Sequence, residues 1–173
     1  MEEFSRGLVI TGRIADDIDQ VCSYAHLMPS RSFRIGRSAT GLGLFAAKPI
    51  KRAAYIATYR GPRVSTEESD RRERLGAKYM FELNSRWVID GSPRWNLARY
   101  MNHSCWPNAK PVTRKGRIVF VALRLIAPGE EITYDYGREY FEYFLQNKGC
   151  RCAACLTKAA VRRSKKIGRK RSR

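Results

Sequence analysis

A mostly β fold of short, twisted sheets is what this sequence predicts, and three observations carry it. Short runs rich in β-branched and aromatic residues recur along the chain, each closed by glycine, proline or an Asn-Ser pair. Helical patterning is confined to a few brief stretches. No internal repeat is present, and 173 residues with 43% hydrophobic content make one domain with tails, able to bury a core without disulfides.

The elements follow in order. Residues 1–30 have weak periodicity and end at a "MPSRS" break, so they read as a loosely attached leader. "FRIGRS" and "GLGLFAA" are strands around a glycine turn, and "AAYIATYRG" is a third strand ending at Gly61. "STEESDRRERLG" has an N-cap candidate in Ser65 or Thr66, clustered charges and a terminal glycine, which predicts a surface helix. "YMFEL" and "RWVIDG" flank an Asn-Ser turn, and "RWNLARYM" is a short helix. "RIVFVALRLI" is the most apolar strand, and Pro128-Gly129 after it suits the centre of a type II turn. "EITYDYG" is the last strand, and "REYFEYFLQNKG" is an amphipathic helix closed by glycine. The domain then runs over 31–147, a cysteine loop over 148–156 and a basic tail over 157–173.

Charge is the unusual quantity. The net charge is +18, and Lys158 to Arg173 contributes nine Lys/Arg with no acid. Residues 31–155 still hold 23 basic and 11 acidic side chains, whereas the leader is acidic. Such a balance favours polyanionic partners, nucleic acid first, through the tail; a solvated tail that aids solubility is the plainer alternative. The opening residues carry acids and no apolar h-region, and no run approaches a membrane span, so an intracellular location without a membrane partner is expected.

"CRCAAC" presents Cys150, Cys152 and Cys155 from one tight loop. Zinc takes four ligands tetrahedrally and favours thiolate at structural sites. Cys105, alone in "RYMNHSCWPN", is the leading fourth ligand, ahead of Cys22 or His26 in the leader. That thiol then clasps the C-terminal segment to the middle of the fold. "TGLGLFA" is too short for a dinucleotide loop and lacks the helix that follows one; it turns a hairpin or lets backbone approach a ligand. Tyr134 and Tyr136 alternate along one strand and therefore share a face. They serve core packing or, if their hydroxyls find partners, a narrow polar-ended channel.

"GLGLFA", "YRG", "YMFEL…VIDG", "LARYMNHSCWPN", "GEEITYDYG" and "CRCAAC" stand in the order and approximate spacing of one family. From about Phe33 to Cys155 the chain resembles the SET-domain protein lysine methyltransferases. The resemblance implies small curved sheets around a knot-like feature, with "RYMNHSC" and "EITYDYG" as the threaded pieces. It implies S-adenosylmethionine as cofactor, approached by the backbone of Thr40, Gly41, Leu42 and Gly43. Asn102 and His103 would bind its amino-acid and adenine portions, His103 largely through backbone, with Arg99 and Tyr79 framing the pocket. Tyr136 would align a lysine amine with the methyl, while Tyr59 and Tyr134 line its passage. The proton goes to Tyr136 or to water. A tyrosine at Tyr134 implies mono- or dimethylation.

The departures are specific. The cysteine loop is two residues tighter than the family's usual spacing, and no cysteine-rich segment precedes the domain within this sequence. Tyr140, Phe141 or Phe144 is the aromatic candidate to stack on adenine. The substrate is a protein presenting a lysine, a histone or another nucleic-acid-associated protein, or the lysine-rich tail itself. That sets the location as cytoplasmic or nucleoid-associated, or nuclear in a eukaryote. The alternative is an inactive SET scaffold that binds nucleic acid or chromatin. Intact Tyr136, Asn102 and His103 favour the enzyme.

Overall fold

The computed structural model describes residues 32–145 and 149–158; the leader at 1–30 and the basic tail beyond 158 lie outside the described residues. Strands β1 (Phe33–Ser38) and β2 (Gly41–Ala46) form an antiparallel hairpin. Strand β3 (Tyr55–Tyr59) pairs with β9 (Arg117–Ala122), which pairs in turn with β8 (Ala109–Arg114), giving the order β3-β9-β8. A second three-stranded sheet runs β4 (Arg63–Ser65), β6 (Trp87–Asp90), β5 (Met80–Asn84). The remaining sheet is two residues deep: β7 (Asn102–His103) lies parallel to β10 (Thr133–Tyr134).

Residues 65–76 make the surface helix α1 (Thr66–Arg74). Its N-cap Ser65 Oγ accepts from the Glu68 amide at 3.3 Å, and Glu67 and Glu68 occupy the positive first turn. Gly76 at φ 95° ends it, with the Ala77 amide donating to Arg72 O and the Gly76 amide to Glu73 O, a Schellman closure. "RWNLARYM" supplies a 3₁₀ turn, Leu97–Tyr100. Over the described residues the last helical stretch is looser than its pattern predicts: α2 (Arg138–Tyr140) runs into a π-helical turn, Phe141–Leu145.

Strand β8 is absent from the sequence reading because Pro111 argues against a strand. It is an edge strand, where a missing N–H costs no ladder bond. The β8–β9 hairpin turns through Lys115 and Gly116, both at positive φ (46° and 67°), as a two-residue type I′ loop requires. Strand β9 is central and covered on both faces, so all of Ile118 to Ala122 is buried. It stops at Ala122 rather than continuing to Ile126, which joins Ile50 in an isolated bridge. The type II turn after it is present, with Gly129 at φ 82° and the Glu130 amide donating to Ala127 O at 3.1 Å.

One core gathers the sheets, with Leu44, Ile56, Met101, Ile118, Phe120, Ile126 and Ile132 fully buried. Two buried asparagines satisfy backbone that no sheet reaches. Asn96 accepts from the Arg60 amide and donates to Gly91 O. Asn108 accepts from the Thr133 amide at 2.9 Å and donates to Glu131 O at 2.8 Å. Residues 126–134 thus run between β2 and the Asn102–Asn108 segment: the Ile132 amide donates to Leu44 O, and the Ser104 amide to Tyr134 O. This is where the two threaded pieces meet.

Candidate active site and metal centre

A cleft of about 680 Å³ opens above the paired strands β7 and β10. Its walls come from four places: Thr40 and Leu42 of the first hairpin; Lys78 and Tyr79; Arg94, Arg99 and Tyr100; and Gly149 to Cys152 of the cysteine loop. Asn102, His103, Tyr136 and Tyr140 complete the lining. Gly41 turns the hairpin at φ 125°. Gly43 lies against Glu131, and any Cβ there would collide with that carboxylate. The Arg99 guanidinium sits over the Tyr79 ring at 4.3 Å and the Tyr100 ring at 5.3 Å. Its Nε is buried with no hydrogen-bond partner, an orphan donor beside a cleft of ligand size.

Glu131 is a residue that the sequence reading quoted without assigning it a role. Asn102 Nδ2 donates to Glu131 Oε1 at 2.7 Å and to Leu42 O at 3.1 Å, and Ser38 Oγ donates to Glu131 Oε2 at 3.1 Å. One carboxylate therefore fixes the Asn102 amide and ties the first hairpin to the threaded segment. Nothing in the string "GEEIT" distinguishes it from its neighbour Glu130, which faces Arg124 at the surface.

Behind the cleft stands a column of aromatic rings. Tyr136 packs on Tyr134 at 4.6 Å between centroids and on Tyr140 at 4.8 Å. Tyr134 stacks on Phe81 at 6.0 Å and meets Phe120 at 4.7 Å, and Tyr59 lies 5.1 Å from Phe81. Tyr134 and Tyr136 share a face, as their alternation requires. Tyr59 and Tyr134 do not line the cleft; they extend the column beyond Tyr136. Phe81 belongs to the same column and was missed, because in "YMFEL" it reads as ordinary strand filling. Gly91 makes room for Tyr59, whose ring a Cβ there would strike. The Tyr59 hydroxyl donates to Tyr79 O at 2.9 Å, and the Tyr136 hydroxyl to Met101 O at 2.8 Å.

Burial dominates the electrostatics of this column. It pushes the phenols of Tyr59, Tyr134 and Tyr136 well above the ordinary tyrosine range, and neighbouring acidic groups push the same way. All three are neutral at physiological pH.

The four cysteines converge. Cys105, Cys150, Cys152 and Cys155 hold their sulfurs within 4.8 Å of one another, with Cys105 3.7 Å from Cys150 and 3.8 Å from Cys155. Zinc–thiolate bonds of about 2.3 Å put sulfurs at tetrahedral corners about 3.8 Å apart. The donor set and spacing therefore fit zinc, despite the tight loop. Burial, helped by the neighbouring thiols, holds the Cys105 thiol above its ordinary range, a state that a coordinated cation reverses. His103 joins this centre to the column. Its Nδ1 accepts from the Tyr136 amide at 3.3 Å, which leaves the proton on Nε2, 3.4 Å from Cys105 Sγ. Burial keeps the imidazole below its ordinary pKa against the pull of Asp135, so the 3.5 Å approach of those two is not an ion pair. Phe141 packs on the His103 ring at 5.7 Å, whereas Tyr140 faces the cleft; the Phe144 side chain lies outside the described residues.

Residues 41–137 match the SET domain family model. The chain belongs to the SET domain family. Among relatives of this SET domain, human histone-lysine N-methyltransferase 2D is 38% identical over 123 residues, covering 66% of this chain and 2% of that protein. The H3 lysine-4-specific histone-lysine N-methyltransferase of Candida albicans is 32% identical over 156 residues, covering 84% of this chain and 15% of that one. In the solved Chaetomium thermophilum Polycomb Repressive Complex 2 bound to GSK126, one chain superposes with a TM-score of 0.57 at 34% identity, over 62% of this chain and 16% of that chain. This SET-domain chain thus spans only a small part of the proteins it resembles. Among the described residues no helix is long and apolar enough to cross a membrane.

Proposed function

We propose that this SET-domain chain is an S-adenosylmethionine-dependent protein lysine N-methyltransferase acting on a histone or another nucleic-acid-associated protein. The observation that carries the reading is the neutral aromatic column of Tyr136, Tyr134, Phe81 and Tyr59, which abuts a cleft of cofactor size. When bound, the cofactor supplies a methyl group on a sulfonium, electrophilic enough for attack by a neutral amine. Arg99, with its orphan Nε, suits the carboxylate end. Asn102 has committed its N–H groups to Glu131 and Leu42, leaving Oδ1 to accept from an ammonium. The His103 backbone and the Tyr140 ring suit an adenine.

The ring faces of Tyr59, Phe81 and Tyr134 attract the lysine ammonium, and desolvation among them then lowers its pKa from about 10.4 toward neutrality. Tyr136 donates its O–H hydrogen bond to Met101 O, so its oxygen is left to accept an N–H from the amine and aim the lone pair. A phenol raised this far has negligible phenolate at pH 7, so water rather than Tyr136 carries the proton away. The Tyr134 hydroxyl limits room at the amine, which favours mono- or dimethylation. Cys105, Cys150, Cys152 and Cys155 would hold zinc, which would fix the wall at Gly149 to Cys152, and the basic tail contacts nucleic acid. A chromatin-associated, intracellular setting goes with this reading.

The test is transfer from methyl-labelled S-adenosylmethionine to a panel of histones and other nucleic-acid-binding proteins. Label confined to lysine of a panel protein is the expected result. Cofactor binding without transfer to any lysine, the chain's own tail included, contradicts it.

A further inference from the structure

The walls of the cleft carry the wrong charge for one end of S-adenosylmethionine. Lys78, Arg94, Arg99 and Arg151 are among the described residues that line it, and no carboxylate is. The cofactor's ammonium therefore meets no counter-charge in the lining itself, and its acceptor is the neutral Asn102 Oδ1. Glu131 stands one layer back, in contact with that amide and outside the lining.

Three acceptors surround Asn102 Nδ2: Glu131 Oε1 at 2.7 Å, Leu42 O at 3.1 Å and Ser38 Oγ at 3.3 Å. A carboxylate and a carbonyl only accept, so both hold the N–H groups of the amide toward them and turn Oδ1 the other way. The two are unequal. A hydrogen bond to an ionised acceptor is stronger than one to a neutral acceptor, which makes Glu131 the main constraint. It also polarises the amide, because hydrogen bonds in a chain strengthen one another. The carboxylate is itself anchored: Ser38 Oγ donates to its Oε2 at 3.1 Å, and an isolated bridge to Phe45 ties its backbone to β2.

We propose that Glu131 is a positioning residue for the cofactor: acting through Asn102, it presents an acceptor to the ammonium and so favours ligands that carry the amino-acid end. This role rests on the S-adenosylmethionine reading of the cleft. A glutamine at this position removes the charge and can donate in its turn. The Asn102 amide is then free to turn its own N–H groups to the cleft, where they face an ammonium that also only donates.

The test is calorimetry of the full chain with two ligands. S-adenosylhomocysteine, the product thioether, keeps the amino-acid end, and methylthioadenosine lacks it. Glu131→Gln is expected to weaken the first about 10-fold and the second by less than about 2-fold. Asn102→Ala and the double variant complete a cycle, in which Glu131→Gln adds no further loss once the amide is gone. Ser38→Ala leaves the carboxylate on Asn102 and is expected to stay within about 2-fold of wild type for both ligands. Equal loss of both ligands in Glu131→Gln means a general disruption of the cleft and overturns the proposal. So does an unchanged affinity for S-adenosylhomocysteine, or a loss that persists in the Asn102→Ala background. A wild-type chain that binds neither ligand overturns the cofactor reading and this role with it.

Discussion

Tyr136 is a buried, neutral phenol whose O–H donates a hydrogen bond to Met101 O, so replacing it removes orientation and leaves the fate of the amine proton untouched. Tyr136→Phe is expected to lower kcat by about 100-fold with little change in cofactor affinity, read by steady-state kinetics and calorimetry. The rate should rise with pH between about 7 and 9 in both proteins, because the ionisation seen is the lysine's and deprotonation makes it reactive. Tyr134→Phe should shift the product toward higher methylation, visible in the mass distribution of a substrate peptide. Gly91→Ala drives a methyl group into the Tyr59 ring and is expected to cost about 1–3 kcal/mol in urea denaturation. The shared face of Tyr134 and Tyr136 was legible because strand alternation is a two-residue rule. Glu131 was not, because its role comes from a fold that brings Asn102 and Ser38 to it from two distant segments.

Among the elements, the short parallel pair β7–β10 carries the site but has little strength of its own. Asn108, Glu131 and the four-cysteine cluster brace it from outside. Cys105→Ser should therefore lower bound zinc below stoichiometry and raise amide exchange over 149–158 and over Asn102–His103. His103→Leu, which removes the Nε2–H beside Cys105, should weaken zinc by about 10-fold in a chelator competition. The turn at 127–130 adds a pH term. Its hydrogen bond with Arg124 holds Glu130 down to about 2 from 4.5, against the opposing effect of burial. That stabilisation is present above pH 4.5 and is lost as pH falls toward 2, so Glu130→Gln should flatten stability across this window in urea midpoints. Most elements were readable from turn residues and apolar runs. Strand β8 was hidden by Pro111, which only an edge position tolerates, and β4 and β7 are too short to carry a pattern at all.

For the whole molecule, motif order revealed more than composition did. Blocks spread from Gly41 to Cys155 come together in one cleft, one aromatic column and one thiol cluster, although no single block fixes that assembly. The charge of +18 was plain in the sequence, but the meeting of Arg60, Arg114 and Arg117 at one end of the β3-β9-β8 sheet depends on strand register and was not. Methyl transfer through the column is the central claim. Its most direct measurement is the intact mass of a histone panel after incubation with S-adenosylmethionine and either wild-type chain or Tyr136→Phe, with cofactor binding measured for both. The expected result is lysine gaining one or two methylene units with wild type and nearly none with the variant, at equal cofactor affinity. Equal methylation by the two proteins, or tight cofactor binding with no transfer by either, would contradict it.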